Sequence, residues 1–426
     1  MKTNTNPAEG MRDIMPKEIE LRTYVASKIV DVYKKFGFVQ IETPCVERIQ
    51  FLTSGDGGDN EKMLFKILKR GEKLDLETAS GVHDLVDMGL RYDLTVPLCR
   101  FYANNRTKLP THFKTIQIGN VWRAERPQKG RFRQFTQCDI DIIGVHSVLA
   151  ETQLILATSE ALQTIGFSNF TIRINDRRML EALATHCGFD ATSFEKVFIT
   201  LDKLDKIGIN GVQQELEKAE YPTETIQKFI QIVQVALQST ISVYDIASML
   251  PTVSEQVVAA LNQVIETISS VSNGKINVKF DLSLVRGMGY YTGQIFEIGI
   301  DGYGSSIAGG GRYNKMIAKI LNEKTDIPAC GFSIGFERVI SILTEQNFVV
   351  PTTQQKLVIL FSDDAPETLC NVLKMAAEHR QNGNSVSIEL HHKKNTKKQL
   401  DDLKADGFTA FAIYQPDVAL QFKPLS

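Results

Sequence analysis

QIGNVWRAERPQKGRFRQFTQCDIDIIG, residues 117–144, crowds charge into a place where a folded chain normally hides it. Its middle, from Arg123 to Arg133, carries Arg123, Arg126, Lys129, Arg131 and Arg133 against one acid, Glu125. Ile116, Ile118, Val121 and Trp122 give a β-rich approach, and Phe135, Cys138, Ile140, Ile142 and Ile143 a β-rich exit. Pro127 to Gly130 supplies a fixed φ and a residue tolerant of positive φ, as a loop between antiparallel strands requires. The stretch therefore predicts a long hairpin with a basic loop. Solvated edge charges that block aggregation are one reading of the cations. Arginine at four of the five positions favours another, since a planar, permanently charged fork suits phosphate and carboxylate, whereas solubility needs only charge.

A chain of 426 residues predicts two to three domains with sizeable cores. Hydrophobic and charged contents of 43% and 23% are those of an ordinary soluble globular protein. A formal net charge of -2 excludes a bulk cationic protein, so any nucleic acid must be met by local basic patches. Cys45, Cys99, Cys138, Cys187, Cys330 and Cys370 are scattered with no C-x-x-C pair, which argues against a zinc or redox motif and for reduced, buried thiols. MKTNTNPAEGMRDIMPKE lacks the apolar core of a signal peptide, and no window nears the ~20 apolar residues of a membrane span. The expectation is a cytoplasmic protein without a membrane partner.

Along the chain, Pro16 opens an apolar periodicity through Leu21, Tyr24, Val25, Ile29, Val32, Tyr33 and Phe36 that Gly37 ends, predicting an amphipathic helix. VQIETPCVE reads as a strand interrupted by Pro44. TSGDGGDN, residues 53–60, reads as a flexible loop, and the following segment as an apolar strand that resumes at Leu90 after a polar excursion. Helix is expected over 150–165 and 176–188, strand over 169–174, and a helical insertion over about 190–270. Strand signals return at Lys275, and residues 346–355 read as a linker. Residues 356–426 alternate strand and helix, predicting a small α/β domain with a parallel sheet. HHKKNTKK, residues 391–398, reads as a solvated turn before a binding patch.

Four further pieces carry chemistry. In LRYDLTVPLCRF, Asp93 and Thr95 lie two apart and would share a strand face able to hold an ammonium group; alternatively Asp93 caps the helix after it. Arg286 sits between apolar strand residues, where a cation is expensive unless it meets an anion. Gly309, Gly310 and Gly311, followed by Arg312 and Tyr313, let backbone come close to a ligand or another strand. Arg338 falls where a strand passes into a helix, and a cation at a helix N-terminus makes sense beside a bound anion. The chain has no G-x-x-x-x-G-K-[ST] phosphate loop, so a triphosphate would rest on arginines and metal.

Together these pieces resemble the histidyl-tRNA synthetase family. RAERPQKGRFRQFTQ is similar to motif 2 of class II aminoacyl-tRNA synthetases, GFSIGFERV to motif 3, and the first helix with its proline-broken strand to motif 1, which builds a dimer interface. LVRGMGYYTGQIFE and AGGGRYN resemble the two histidine-specific signatures, and LRYDLTVP the segment that receives the ammonium group. The resemblance covers residues 6 to about 345. Gly289 and Asn314 depart from it, where many members carry acids.

The resemblance implies an α/β chain of 1–345 with a class II α+β catalytic domain, an antiparallel sheet flanked by helices, followed by a short anticodon-binding-like domain. It implies ligation of L-histidine to tRNA(His) through a histidyl-adenylate, with ATP as substrate, Mg2+ held through the ATP phosphates and no protein metal site. Arg123 and Arg286 would be catalytic at the α-phosphate, with Glu125, Arg131 and Arg338 completing the ATP site. Asp93, Thr95 and Gln137 would hold the ammonium group; Asp141, Tyr290 and Tyr291 would line the imidazole site, and Tyr313 would close the pocket. Gln128, Lys129 and Arg131 would meet the tRNA acceptor end, and the protein would be a homodimer. The competing reading is a non-catalytic histidine-sensing regulatory subunit of ATP phosphoribosyltransferase, which is expected to lack Arg286, Arg338 and the C-terminal domain.

Overall fold

The computed structural model describes residues 3–53, 62–127, 131–238, 241–287, 289–300, 302–304, 306–351, 354–362 and 366–425. The expected loop at 53–60 lies, beyond its first residue, outside them, as do Gln128 and Lys129. By contacts the chain divides into two units, Met1–Phe348 and Val349–Ser426.

Proline at the first turn and Gly37 at φ +81 bracket the helix Pro16–Lys35, which buries Leu21, Val25, Ile29, Val32 and Tyr33. Beyond it Pro44 divides the predicted strand into two pieces that join different sheets, β1 (Val39–Gln40) and β2 (Val46–Arg48). β2 pairs with β4 (Val86–Leu90), which also pairs with β3 (Lys66–Leu68), so the strand expected to resume at Leu90 in fact ends there. The charged hairpin forms as read: β5 (Phe113–Trp122) and β6 (Gln134–Ile143) pair antiparallel over ten residues each.

They sit in an eight-stranded sheet with β7 (Phe170–Asp176), β8 (Asn277–Phe280), β9 (Gln294–Ile300), β10 (Ser306–Arg312) and β11 (Ala329–Ile334). Its order is β1-β5-β6-β11-β10-β9-β7-β8, parallel at β1–β5 and β7–β8 and antiparallel everywhere between. The helix Leu149–Thr164 buries Leu154, Ile155 and Leu162, and Tyr33 of the first helix meets its Thr158 at 3.5 Å.

Between β7 and β8 the chain is helical, in Arg177–Cys187, Phe194–Leu201, Leu204–Lys218, Thr223–Ala236, Val243–Met249 and Glu255–Val271. Ser242 and Ser254 cap two of these with their side chains, and the apolar faces bury Phe198, Phe229, Leu261 and Val264. Among the described residues no helix is long and apolar enough to cross a membrane.

In the second unit, β12 (Lys356–Phe361) runs parallel to β13 (Ser385–Leu390) and β14 (Ala410–Ile413), as the alternation predicts. An unforeseen antiparallel edge, β15 (Lys423–Pro424), pairs with β14. Leu357, Ile359, Phe361, Val372, Ala376 and Val386 give this unit a core of its own. The basic HHKKNTKK run is a turn leading into the helix Thr396–Ala405, tied by a 2.9 Å contact between His391 Nε2 and Thr396 Oγ1. All six cysteines are unpaired; Cys45 and Cys370 are exposed, against the expectation that all are buried.

Candidate active site

Residues directly opposite one another on paired strands point to the same sheet face. Following the register from β5 to β7 gives one row: Gln117, Asp139, Ser333, Gly309, Glu297 and Arg173. Two positions along, a second row runs Thr115, Asp141, Gly331 and Gly311. A sheet face inside a folded unit is ordinarily apolar; this one is polar and punctuated by glycine.

The glycines are where Arg286, Asp141 and Tyr291 lie against bare backbone. A Cβ at Gly309 would fall 2.2 Å from the Arg286 guanidinium carbon, and one at Gly331 would fall 2.0 Å from Asp141 Oδ1. At Gly311 it would meet Tyr291 at 3.1 Å. Gly309 and Gly311, with Gly331 on the next strand, are thus the floor on which other residues rest, while Gly310 faces the other side of the sheet against Phe296 and Phe332.

Over this floor opens a cavity of about 350 Å³. Arg123, Arg131, Arg286 and Arg338, drawn from the hairpin, the segment before β9 and the helix Phe336–Glu345, all line it. Glu125, Gln137, Tyr290 and Tyr291 line it as well. Four guanidiniums face Glu125 and Glu337, and Glu337 is already claimed by a fork from Arg22 at 2.7 and 2.8 Å. Burial and the neighbouring Arg131 and Arg286 hold the Arg338 guanidinium below its ordinary pKa. Such a wall is poised for a multiply charged anion.

Each arginine is steered by the fold. Arg123 Nε donates to the Tyr92 carbonyl at 3.1 Å, and its guanidinium lies 5.0 Å from the Phe135 ring centre. Arg286 Nη2 donates to Ser306 Oγ at 3.0 Å, while Arg338 Nη1 donates to the Ser306 carbonyl. Arg133, though part of the basic run, instead donates to the backbone of Glu125 and Glu9.

Beside the cationic wall lies a buried acidic one. Asp93, Asp139 and Asp141 are at most 5% exposed. Burial pushes Asp141 up to about 7, a rise that the Tyr313 bond opposes and Asp93 reinforces, and burial pushes Asp93 up to about 6. Asp139 is raised too, first by burial and then by Asp141. Among the described residues, Asp139 Oδ1 and Gln137 Oε1 are buried without a hydrogen-bond partner.

Three expectations change. Asp93 and Thr95 do not share a strand: Thr95 opens the helix Thr95–Asn105, and Asp93, two residues before it, uses Oδ1 to accept from Val96 N at 3.1 Å, a bond to the first turn that leaves its role toward a ligand open. Arg286 is not on a strand but in a turn-rich stretch before β9. Tyr313 does not cover the pocket; it is 1% exposed, with its hydroxyl donating to Asp141 Oδ1 at 2.6 Å. Asp93, Thr95, Asp141 and Tyr313 do not line the cavity, and Asp93, Asp141 and Tyr313 are buried. Of the two departures from the family pattern, Asn314 uses its Oδ1 to accept from Ala329 N at 3.1 Å, a bond a carboxylate would also make, and Gly289 lies in a turn.

Glu297, Ser306 and Asp139 escaped the sequence reading. A lone carboxylate between Phe296 and Ile298 on an otherwise apolar strand was the available signal for Glu297.

The Histidyl-tRNA synthetase family profile matches residues 10–339. The histidine–tRNA ligase of Leifsonia xyli subsp. xyli is 42% identical, with all of both chains covered. That of Gloeobacter violaceus is 31% identical over 97% of this chain and 92% of its own. The crystal structure of histidyl-tRNA synthetase from Nostoc sp. PCC 7120 superposes with a TM-score of 0.80 at 30% identity, covering 100% of this chain and 95% of that one. A Bacillus halodurans structure titled as an ATP phosphoribosyltransferase regulatory subunit/histidyl-tRNA synthetase shares the fold, with a TM-score of 0.77 at 20% identity. Matched by the profile over most of its length and by relatives from end to end, the chain belongs to the histidyl-tRNA synthetase family, with a class II fold.

Proposed function

We propose that this protein ligates L-histidine to tRNA(His) in two steps. Histidine and ATP give histidyl-adenylate and pyrophosphate, and the acyl group then passes to the terminal ribose hydroxyl of the tRNA, releasing AMP. The single observation that carries this reading is the convergence of Arg123, Arg131, Arg286 and Arg338, distant in sequence, on one cavity beside three buried carboxylates.

The first step brings two anions together, the amino acid carboxylate and the α-phosphate. Guanidiniums fixed around the meeting point lower that repulsion and stabilise the charge that develops on the phosphate. Arg123 and Arg286 take the α-phosphate, while Arg131 and Arg338 take the distal phosphates. Mg2+ would be carried chiefly on the ATP phosphates. Glu125, the lining carboxylate not already clamped by Arg22, would be the residue placed to help hold it. Mg2+ there would neutralise part of the triphosphate charge.

Histidine selection rests on the acidic side. Asp93, Thr95 and Gln137 receive the ammonium group, and Asp141 with Tyr291 bonds the ring nitrogens, Tyr290 packing on Tyr291 at 4.5 Å between ring centres. An analogue without those nitrogens leaves buried polar groups unpaired, which is a strong basis for rejection. Gln128, Lys129 and Arg131 of the basic loop meet the tRNA acceptor end, and the second unit, residues 349–426, contacts the anticodon. The homodimer is inferred through the first helix and the edge strand β1, whose Val39 is 52% exposed. A cytoplasmic setting accords with six unpaired cysteines.

The test is histidine-dependent exchange of labelled pyrophosphate into ATP, followed by charging of tRNA(His). Arg286→Ala should lower exchange ~100-fold, the loss of one preorganised donor worth about 3 kcal/mol, while histidine binding is nearly kept. Wild-type exchange in that variant sinks the assignment.

A further inference from the structure

We infer that Glu297 is a positioning residue for adenylation, acting through Arg286. This rests on the reading of Arg286 as the contact to the α-phosphate. Arg286 belongs to a turn-rich segment, and its neighbour Gly287 sits at φ +55, so no regular element fixes where its side chain points. Something outside the segment has to do so.

Glu297 does it from the middle of β9. Arg286 Nε donates to Glu297 Oε2 at 2.7 Å, and Nη2 lies 2.7 Å from the same oxygen. Gly309, the register partner of Glu297 on β10, lies beneath the guanidinium, so the carboxylate holds its edge while bare backbone supports its face. With Nε on Glu297 and Nη2 on Ser306, Nη1 is the guanidinium nitrogen with no protein acceptor among the described residues. One nitrogen remains free for a phosphate oxygen, in a geometry set by the other two.

The carboxylate is itself secured. Arg173, its cross-strand partner on β7, donates to the other oxygen, Oε1, and is in turn paired with Asp281 and Asp205. Glu297 therefore cannot swing toward the cavity and compete with phosphate as an anion. Its charge also lets two arginines share Ser306, since Arg286 and Arg338 repel one another. A purely structural cross-strand pair with Arg173 would need neither the second oxygen on Arg286 nor the glycine below it.

The discriminating experiment is a double-mutant cycle in pyrophosphate exchange. Glu297→Ala should lower kcat ~10- to 100-fold with the KM for histidine little changed, because a misplaced group costs rate and not ground-state binding. Glu297→Gln, which keeps an acceptor for Nε, should recover part of that loss. The Glu297→Ala/Arg286→Ala double variant should be no slower than Arg286→Ala alone. Wild-type kcat in Glu297→Ala beside a slow Arg286→Ala overturns the proposal and leaves the site reading intact, as does an additive double variant. Wild-type exchange in Arg286→Ala overturns the underlying reading instead. Should melting curves show Glu297→Ala unfolded, Glu297→Gln carries the test, with an unchanged kcat and a raised histidine KM counting against the proposal.

Discussion

The Tyr313 hydroxyl donates to Asp141 Oδ1 at 2.6 Å, and both groups are almost fully buried. The bond joins a residue two beyond the last glycine of the run to the acid of the hairpin strand, and it opposes the upward push that burial exerts on Asp141. In Tyr313→Phe the ring still fills its place while Asp141 loses its donor and becomes harder to ionise. The KM for histidine should rise about tenfold, as expected for one buried bond to a charged group, with kcat at saturation close to wild type. An unchanged KM would show that Asp141 does not depend on Tyr313.

The buried acids give a pH signature. Asp141 at about 7 and Asp93 at about 6 both lie above their ordinary 3.8. A carboxyl raised in the folded state contributes stability that is full below its unfolded value and lost as pH rises through the folded one. The ligand-free protein should therefore lose stability between about pH 4 and about pH 7 from these groups. Histidine binds best with Asp93 ionised beneath its ammonium and Asp141 ionised to accept from its ring, so the rise in Tm caused by histidine should grow over the same window. Melting curves with and without histidine across that range measure both trends. Asp141→Asn should flatten them, and a histidine effect independent of pH in the wild type would refute the account.

Two glycines separate the halves of the site. In Gly309→Ala the new methyl falls on the Arg286 guanidinium, so kcat for exchange should drop ~100-fold with histidine binding kept. In Gly331→Ala it falls on Asp141 Oδ1, so the KM for histidine should rise more than ~10-fold. Identical kinetic defects in the two variants would contradict the division.

Arg312 governs stability. Its Nε and Nη2 grip the two oxygens of Glu151 at 2.6 Å each, and it also donates to the carbonyls of Val145 and Ser147. Glu151 is 1% exposed, so Arg312→Ala strands a buried charge and should cost about 3–5 kcal/mol in urea unfolding. Adding Glu151→Gln should return part of it.

Strong periodicity made much of the fold legible. The first helix and the hairpin were readable because apolar spacing, proline and glycine all pointed one way. Arg123, Arg131 and Arg338, which come together on one cavity, could be picked out because permanent charge stood out against strand and helix signals. Asp93 was harder, since a residue two before a helix-opening threonine fits a strand face and a cap equally well until the backbone is known. Glu297 and Gly331 take their meaning from strand register, which aligns residues far apart in the chain and leaves no local trace.

The glycine-paved sheet face also limits how this protein can be retooled. A larger amino acid substrate cannot be given room from below, because Gly309, Gly311 and Gly331 have no side chain left to trim. New volume would have to come from the aromatic side, at Tyr290, Tyr291 or Tyr313, and trimming Tyr313 would also disturb the acid beside it. Directed evolution toward other amino acids should therefore accumulate changes at the tyrosines and leave the backbone pavement untouched.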